Sequence, residues 1–259
     1  MKIGVVLCTL GERISLRDTF QSFEKIQDQI ELIVICPVST RKKVIQESLA
    51  YINPSNIEVV VQEKPGIYAS MNQGAKLIKS NFLVFINDDD MFDRNIHKNF
   101  SNFVSELHEN DVLFASSEIV GQINHVERPN THYEKYIRIG RMPISHQAQI
   151  WSTETLKDCG LFQESIFLKF GCIVVRFNLH IASDFNTYVT AFLTGKKFGT
   201  TDLVLSNYSK GGMSDQRSQR RIIETIFILY QKKMISLFGI FVLLFRFEFS
   251  NILKWFQYD

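Results

Sequence analysis

Strand-like and helix-like patterns alternate four times before Met91, and the last apolar run opens directly into Asn87-Asp88-Asp89-Asp90. Ile3 to Cys8, Leu32 to Cys36, Ile57 to Val61 and Phe82 to Ile86 are short and almost wholly apolar. Such runs suit strands covered on both faces. Between them, Ser15 to Gln27, Thr40 to Tyr51 and Ile67 to Lys79 carry helical patterns, the first with Leu16, Phe20 and Phe23 on one face. This alternation predicts an α/β fold with a mostly parallel central sheet flanked by helices. Ligands of such sheets bind beyond the carboxyl ends of the strands. The aspartates stand at one such end.

The second half is less regular. Asp111 to Ser116, Ile119 to Val126 and Gln147 to Trp151 read as strands, the last followed by a helix from Ser152 or Thr153. Phe167 to Leu179 is aromatic and β-branched with no clear period. Asp184 to Leu193 reads as a helix, and from Asp215 the pattern is helical to the end with only Gly239 interrupting.

Composition narrows the class. With 45% hydrophobic and 22% charged residues the chain is globular rather than disordered. A net charge of +2 with no nucleic-acid-binding signature argues against a nucleic-acid partner. Cys8, Cys36, Cys159 and Cys172 form no Cys-x-x-Cys pair, which argues against a zinc site and a disulfide framework and for a reducing cytoplasm. The apolar start stops at Gly11-Glu12-Arg13, so it reads as a buried strand rather than a signal peptide.

Three adjacent carboxylates repel and raise one another's pKa, and a divalent cation removes that conflict. Hard oxygen ligands suit Mn2+ or Mg2+, often shared with a diphosphate. The plainer alternative is a solvated turn in which Asp88 or Asp90 caps the segment from Asp93.

Neighbouring residues add a resemblance. Gly66-Ile67-Tyr68, Met71-Asn72, Gly74 and the run ending Ile86-Asn87-Asp88-Asp89-Asp90 resemble family 2 glycosyltransferases of the GT-A type. Pro143-Ile144-Ser145-His146-Gln147 is similar to that family's step into its acceptor half. Ile181-Ala182-Ser183-Asp184-Phe185 and Gly211-Gly212-Met213-Ser214 are similar to two later motifs. The resemblance implies a GT-A nucleotide-diphospho-sugar transferase fold over residues 1–221. Residues 1–110 would be the nucleotide-sugar half and 111–221 the acceptor half, with a C-terminal helical extension over 222–259.

It also implies roles. Asp88, Asp89 and Asp90 would hold the metal as a DXD-type motif. Thr9, Glu12, Tyr68, Asn72, Asp88, Gly211, Gly212 and Ser214 would contact the nucleoside-diphosphate sugar, and His146 and Gln147 the substrate. Asp184 would take the proton of the attacking acceptor hydroxyl, which inverts the anomeric configuration. Bland readings of single residues stand beside these: Asp184 as a helix cap, His146 as a satisfied histidine at a strand start.

Some positions depart from the family pattern. Cys36-Pro37-Val38-Ser39 stands where a base- or ribose-contacting Asp is usual, and Ala69 where an acid is usual. Extra sequence lies between Phe162 and Ile181. A non-catalytic sugar-nucleotide-binding protein of the same fold is the alternative, against which the aspartate triplet and Asp184 both argue.

The last segment has its own character. Met234 to Phe245 is apolar but for Ser236 and Gly239, and is bounded by Lys232, Lys233 and Arg246. At about 1.5 Å per residue it is too short for a hydrocarbon layer of roughly 30 Å. With Phe247, Phe249, Trp255 and Phe256 beyond it, it suits an interfacial anchor at the inner face of the cell membrane. The alternatives are a helix packed on the core or on a second copy of the chain. A lipid-linked or glycan acceptor in surface-polysaccharide assembly, such as capsule or O-antigen, is the expected partner.

Overall fold

The computed structural model describes residues 2–121, 124–170, 172–209, 218–236 and 238–240. Its first four long strands are β1 (Ile3–Cys8), β2 (Ile30–Cys36), β3 (Ile57–Val61) and β4 (Phe82–Asn87). They pair in parallel in the order β3-β2-β1-β4. Helices α1 (Leu16–Phe23), α2 (Arg41–Ser48) and α3 (Ile67–Leu77) make the crossovers.

The continuous apolar runs serve two cores at once. Successive side chains on a strand point to opposite faces. Val5 and Leu7, Leu32 and Val34, and Val84 and Ile86 join Leu16, Phe20 and Phe23 of α1 on one face. Val6 and Cys8, Ile33 and Ile35, and Leu83 and Phe85 join Met71 and Ala75 of α3 on the other. Each such side chain contributes about 1.5–3 kcal/mol when fully buried. Helix α3 lies close on β1 because Gly74 has no side chain: a Cβ there would meet Val6 Cγ1 at 2.3 Å.

Beyond β4 the sheet becomes mixed. The chain runs on through β5 (Met91–Phe92), α4 (Ile96–Leu107), β6 (Val112–Val120), β7 (His125–Glu127), α5 (Tyr133–Arg138), β8 (Gln149–Ser152), α6 (Thr153–Asp158), β9 (Ser165–Phe170), β10 (Ile173–Asn178), α7 (Ser183–Leu193), β11 (Phe198–Ser209) and α8 (Ser218–Gln231). The sheet order continues β4-β8-β6-β11-β5, with β7 on the side of β6. Strand β8 is antiparallel to both β4 and β6. Its amino end therefore lies at their carboxyl ends, and this decides where the site forms.

Several sequence expectations need correcting. The two strands expected over Asp111–Ser116 and Ile119–Val126 are one strand, β6, followed by the short β7. The segment Phe167–Leu179 is a hairpin, β9 with β10, that leaves the main sheet. Strand β11 escaped the sequence reading because it is largely polar. Its buried Ser206 is satisfied by Ser117 of β6, with the hydroxyl oxygens 3.1 Å apart.

The helix expected from Asp215 onward does not run on to the chain end. Helix α8 stops at Gln231, where Lys233 takes φ 59°. The Met234 N–H then bonds the Leu229 carbonyl at 2.9 Å, and the Lys233 N–H bonds the Tyr230 carbonyl at 2.9 Å. This pattern closes a helix through a left-handed residue. The expected domain boundary between residues 221 and 222 falls inside α8. Ile228 and Leu229 of α8 are fully buried in the core with α3 and α7, and Met234 and Ile235 pack against it. Phe238 is exposed, while Phe241, Phe245, Phe247, Phe249, Trp255 and Phe256 lie outside the described residues.

Candidate active site

The acidic turn crosses from the carboxyl end of β4 to β5, which pairs with β11. Hydroxyls at the start of α1 hold it. Ser15 Oγ donates to the Asp88 carbonyl at 2.9 Å and Thr19 Oγ1 to the Asp90 carbonyl at 2.9 Å. Three consecutive carboxylates are thus displayed by a backbone that is itself satisfied.

The carboxylates diverge. Asp88 turns toward the loop after β1, where Thr9 Oγ1 donates to its Oδ2 at 2.7 Å. Thr9 Oγ1 in turn accepts the Gly11 N–H at 2.7 Å, and Gly11 holds φ +73°, a conformation that favours glycine. Asp90 turns inward. Its Oδ2 accepts from the Asn87 backbone at 3.2 Å and side chain at 3.1 Å, and its Oδ1 from Gln147 Nε2 at 3.1 Å. Asp89 is the most open of the three and pairs with Arg13, whose Nε also reaches Asp88 at 3.5 Å. Among the described residues no three His, Cys, Asp or Glu side chains converge as metal ligands. Of the three expected metal ligands, Asp90 commits both oxygens to amide donors of Asn87 and Gln147.

The donor chemistry nevertheless fits a hard cation at Asp89 and Asp88. Asp89 is the part-exposed carboxylate, buried Asp88 adds Oδ1 beside it, and Arg13, which pairs with both, already marks the spot as one that attracts positive charge. Burial raises the pKa of Asp88 above its ordinary value, with Thr9 and Arg13 opposing. Burial likewise raises that of Asp90, with His146 and Gln147 opposing.

Strand β8 delivers the next residues. The single 3-10 turn His146–Ala148 precedes it, over the carboxyl end of β4. His146 Nε2 lies 3.2 Å from Asn87 Nδ2. Gln147 is buried, and its Oε1 has no hydrogen-bond partner. A buried amide left half-satisfied costs about 1–3 kcal/mol, which suits an atom kept for a ligand.

Asp184 occupies the first turn of α7. Its Oδ1 accepts from the Phe185 N–H at 2.8 Å and from Tyr68 Oη at 3.1 Å. Among the described residues no hydrogen bond reaches Oδ2. Burial raises the pKa of this carboxyl above its ordinary value, while the charge of His146 and the bonds from Phe185 and Tyr68 oppose. A carboxylate held somewhat above its usual range, with one oxygen fixed and one open, is equipped to accept a proton.

The other expected residues divide. Tyr68 of α3 points to Asp184 rather than to the acidic turn. Asn72 is spent on structure: its Nδ2 donates to the Phe162 carbonyl at 2.8 Å, and its Oδ1 accepts the Phe162 N–H at 2.9 Å. Glu12 is exposed on the loop after β1. Gly211, Gly212 and Ser214 lie outside the described residues. Arg13 and Ser15 were not foreseen as part of the site, since nothing in their spacing distinguishes them from loop and helix-start residues; Asn87 stood in the motif without a role of its own.

The acidic turn at the end of a central strand, with Asp184 within the electrostatic reach of His146, is set in a fold shared with GT-A glycosyltransferases. The chain belongs to Glycosyl transferase family 2, whose sequence profile matches residues 4–179. Asp184 lies just beyond that match. No curated protein matches the chain. Among solved structures, S. aureus TarS 1-349 superposes with a TM-score of 0.63 at 18% identity, over 88% of this chain and 65% of that one. The same fragment in complex with UDP-GlcNAc gives 0.61 at 18%, over 82% and 59%. The mannosyltransferase PcManGT from Pyrobaculum calidifontis, in complex with GDP-Man and Mn2+, gives 0.62 at 16%, over 91% and 65%. This chain thus spans less than two thirds of each of these proteins.

Proposed function

We propose that the chain transfers a sugar from a nucleoside-diphosphate sugar to an acceptor hydroxyl with inversion, and that Asp184 is the base. The observation that carries this reading is the relation of Asp184 to the acidic turn. The charge of His146 acts on both Asp184 and Asp90 of that turn, with Asp184 tuned by burial and Asp89 the more open carboxylate. Asp184 Oδ2 takes the acceptor proton as the hydroxyl oxygen attacks the anomeric carbon. The bond from that carbon to the diphosphate breaks, and the electron pair leaves with the diphosphate. Arg13 is within reach of that charge. A Mn2+ or Mg2+ ion held at Asp89 and Asp88 would supply Lewis-acid stabilisation of the leaving group. Gln147 Oε1 offers its unpaired acceptor to a sugar hydroxyl.

The acceptor is a lipid-linked glycan of bacterial surface-polysaccharide assembly, met at the inner face of the cell membrane. The support is the apolar and aromatic sequence after Ile240; among the described residues no helix is long and apolar enough to cross a membrane. The test is a donor screen with UDP-GlcNAc, UDP-glucose, UDP-galactose and GDP-mannose, with Mn2+, Mg2+ or chelator, read as nucleoside diphosphate release. Anomeric configuration of the product is then read by NMR. Binding of a donor without any metal-dependent turnover would favour the non-catalytic reading, and a retained configuration would remove the base role from Asp184.

A further inference from the structure

Glu224, in the middle of α8, is fully buried, yet it is an acid in a helix that the sequence assigns to the tail. Its carboxylate accepts three successive backbone N–H groups. His180 donates at 3.0 Å to each oxygen, Ile181 at 2.8 Å and Ala182 at 2.9 Å. Arg220, one turn earlier, donates its Nε at 2.8 Å. Consecutive N–H groups that converge in this way form a cradle for an anion.

The cradle ends where α7 begins. Ala182 is the N-cap of α7 and makes no side-chain cap bond; its own N–H, with those of the two residues before it, is met by a carboxylate from a different helix. The middle residue of the three also holds Tyr68, the partner of Asp184. The Ile181 carbonyl accepts Tyr68 Oη at 2.6 Å, and Tyr68 Oη is the group 3.1 Å from Asp184 Oδ1. A continuous line of contacts thus runs from Glu224 through the peptide of Ile181 to Tyr68 and Asp184.

We propose that Glu224 is a positioning residue for the transfer reaction: it fixes the 180–182 segment so that Tyr68 and Asp184 keep the register needed for proton abstraction. The proposal rests on Asp184 being the base. It makes α8 part of the catalytic domain rather than an appendage. Gln at this position keeps one oxygen for the three N–H groups but turns its NH2 toward the two donors now on Oε1, the His180 N–H and Arg220 Nε, so donor faces donor and the segment shifts. Shifts of this size around a reacting group cost roughly 10- to 100-fold in rate.

The test compares wild type, Glu224→Gln, Asp184→Asn and the double variant, with Mn2+ and whichever donor of the screen turns over. The expected result for Glu224→Gln is a folded protein with kcat down roughly 10- to 100-fold and donor KM within about twofold of wild type. On the Asp184→Asn background the same change should add little. A folded Glu224→Gln with wild-type kcat overturns the proposal, as does a loss that adds in full to that of Asp184→Asn. Wild-type transfer by Asp184→Asn alone instead overturns the base reading. If Glu224→Gln does not fold, Glu224→Asp, which keeps the charge but falls one methylene short, carries the same comparison. A crystal structure of the folded variant decides independently of any donor: Tyr68 and Asp184 should part beyond hydrogen-bond distance, and an unchanged pair sinks the idea.

Discussion

Tyr68 Oη lies 3.1 Å from Asp184 Oδ1 and 2.6 Å from the Ile181 carbonyl, so one phenol on α3 ties together the backbone before α7 and the carboxylate in its first turn. The two residues are far apart in sequence, and their pairing joins α3 to α7. Tyr68 is itself buried, and burial and then the charge of Asp184 push its pKa well above the ordinary value. It stays protonated and acts as a donor.

The first prediction follows from that donor. The Tyr68 bond opposes the burial that raises the pKa of Asp184. Tyr68→Phe removes the bond, so the pKa should rise further and the acid limb of the transfer rate should move to higher pH. The wild-type limb should already lie above the ordinary Asp range. A pH–rate profile of both proteins checks this, and a limb that stays put or moves down would sink it.

Asp184→Asn should lower transfer by about 10²- to 10⁴-fold with donor binding retained, because the amide cannot take a proton. Stability should respond oppositely. A carboxyl whose folded pKa is raised is charged and buried at a cost above that pKa, and the cost vanishes as protons bind on acidification. The Asn variant keeps Oδ1 as acceptor for Phe185 and Tyr68 and has no charge to bury. Its Tm should equal or exceed that of wild type at neutral pH, with any gap closing as pH falls. Thermal melts across pH read this out.

The divergence of the acidic turn predicts different phenotypes for adjacent residues. Asp89→Asn should cost at least ~100-fold in turnover, about 3 kcal/mol of transition-state stabilisation, with little change in Tm. Asp90→Asn should lower Tm, because its new NH2 group faces the donors of Asn87 and Gln147. Paired melts and rate measurements test the split. Full activity in excess chelator would remove the metal from the mechanism.

The tail prediction concerns residues 241–259. Met234 and Ile235 pack on the core and Ile240 is buried, so removal from residue 241 should leave the fold and donor turnover intact. It should release the protein from anionic liposomes and lower transfer to a lipid-linked acceptor. Salt should weaken the attachment of the full chain. Liposome sedimentation of both forms decides; a full-length chain that ignores liposomes points to a protein partner instead.

The amino-terminal half was legible because its signals are local. Apolar runs such as Ile3–Cys8 and Phe82–Ile86 suit strands in the middle of a sheet covered on both faces, and the aspartates then emerge at a carboxyl end. Residue type and order also marked Asp184, His146 and Gln147. Sequence alone did not determine what each group touches. Only the antiparallel placement of β8 brings Gln147 to Asp90, and that contact takes Asp90 out of the free carboxylates. Only the packing of α3 against α7 turns Tyr68 toward Asp184 and leaves Asn72 to hold Phe162. Glu224 shows the limit most sharply. Its spacing shows only the pair with Arg220, because its other partners are backbone N–H groups, which every residue but proline possesses and which tertiary packing alone can aim at it.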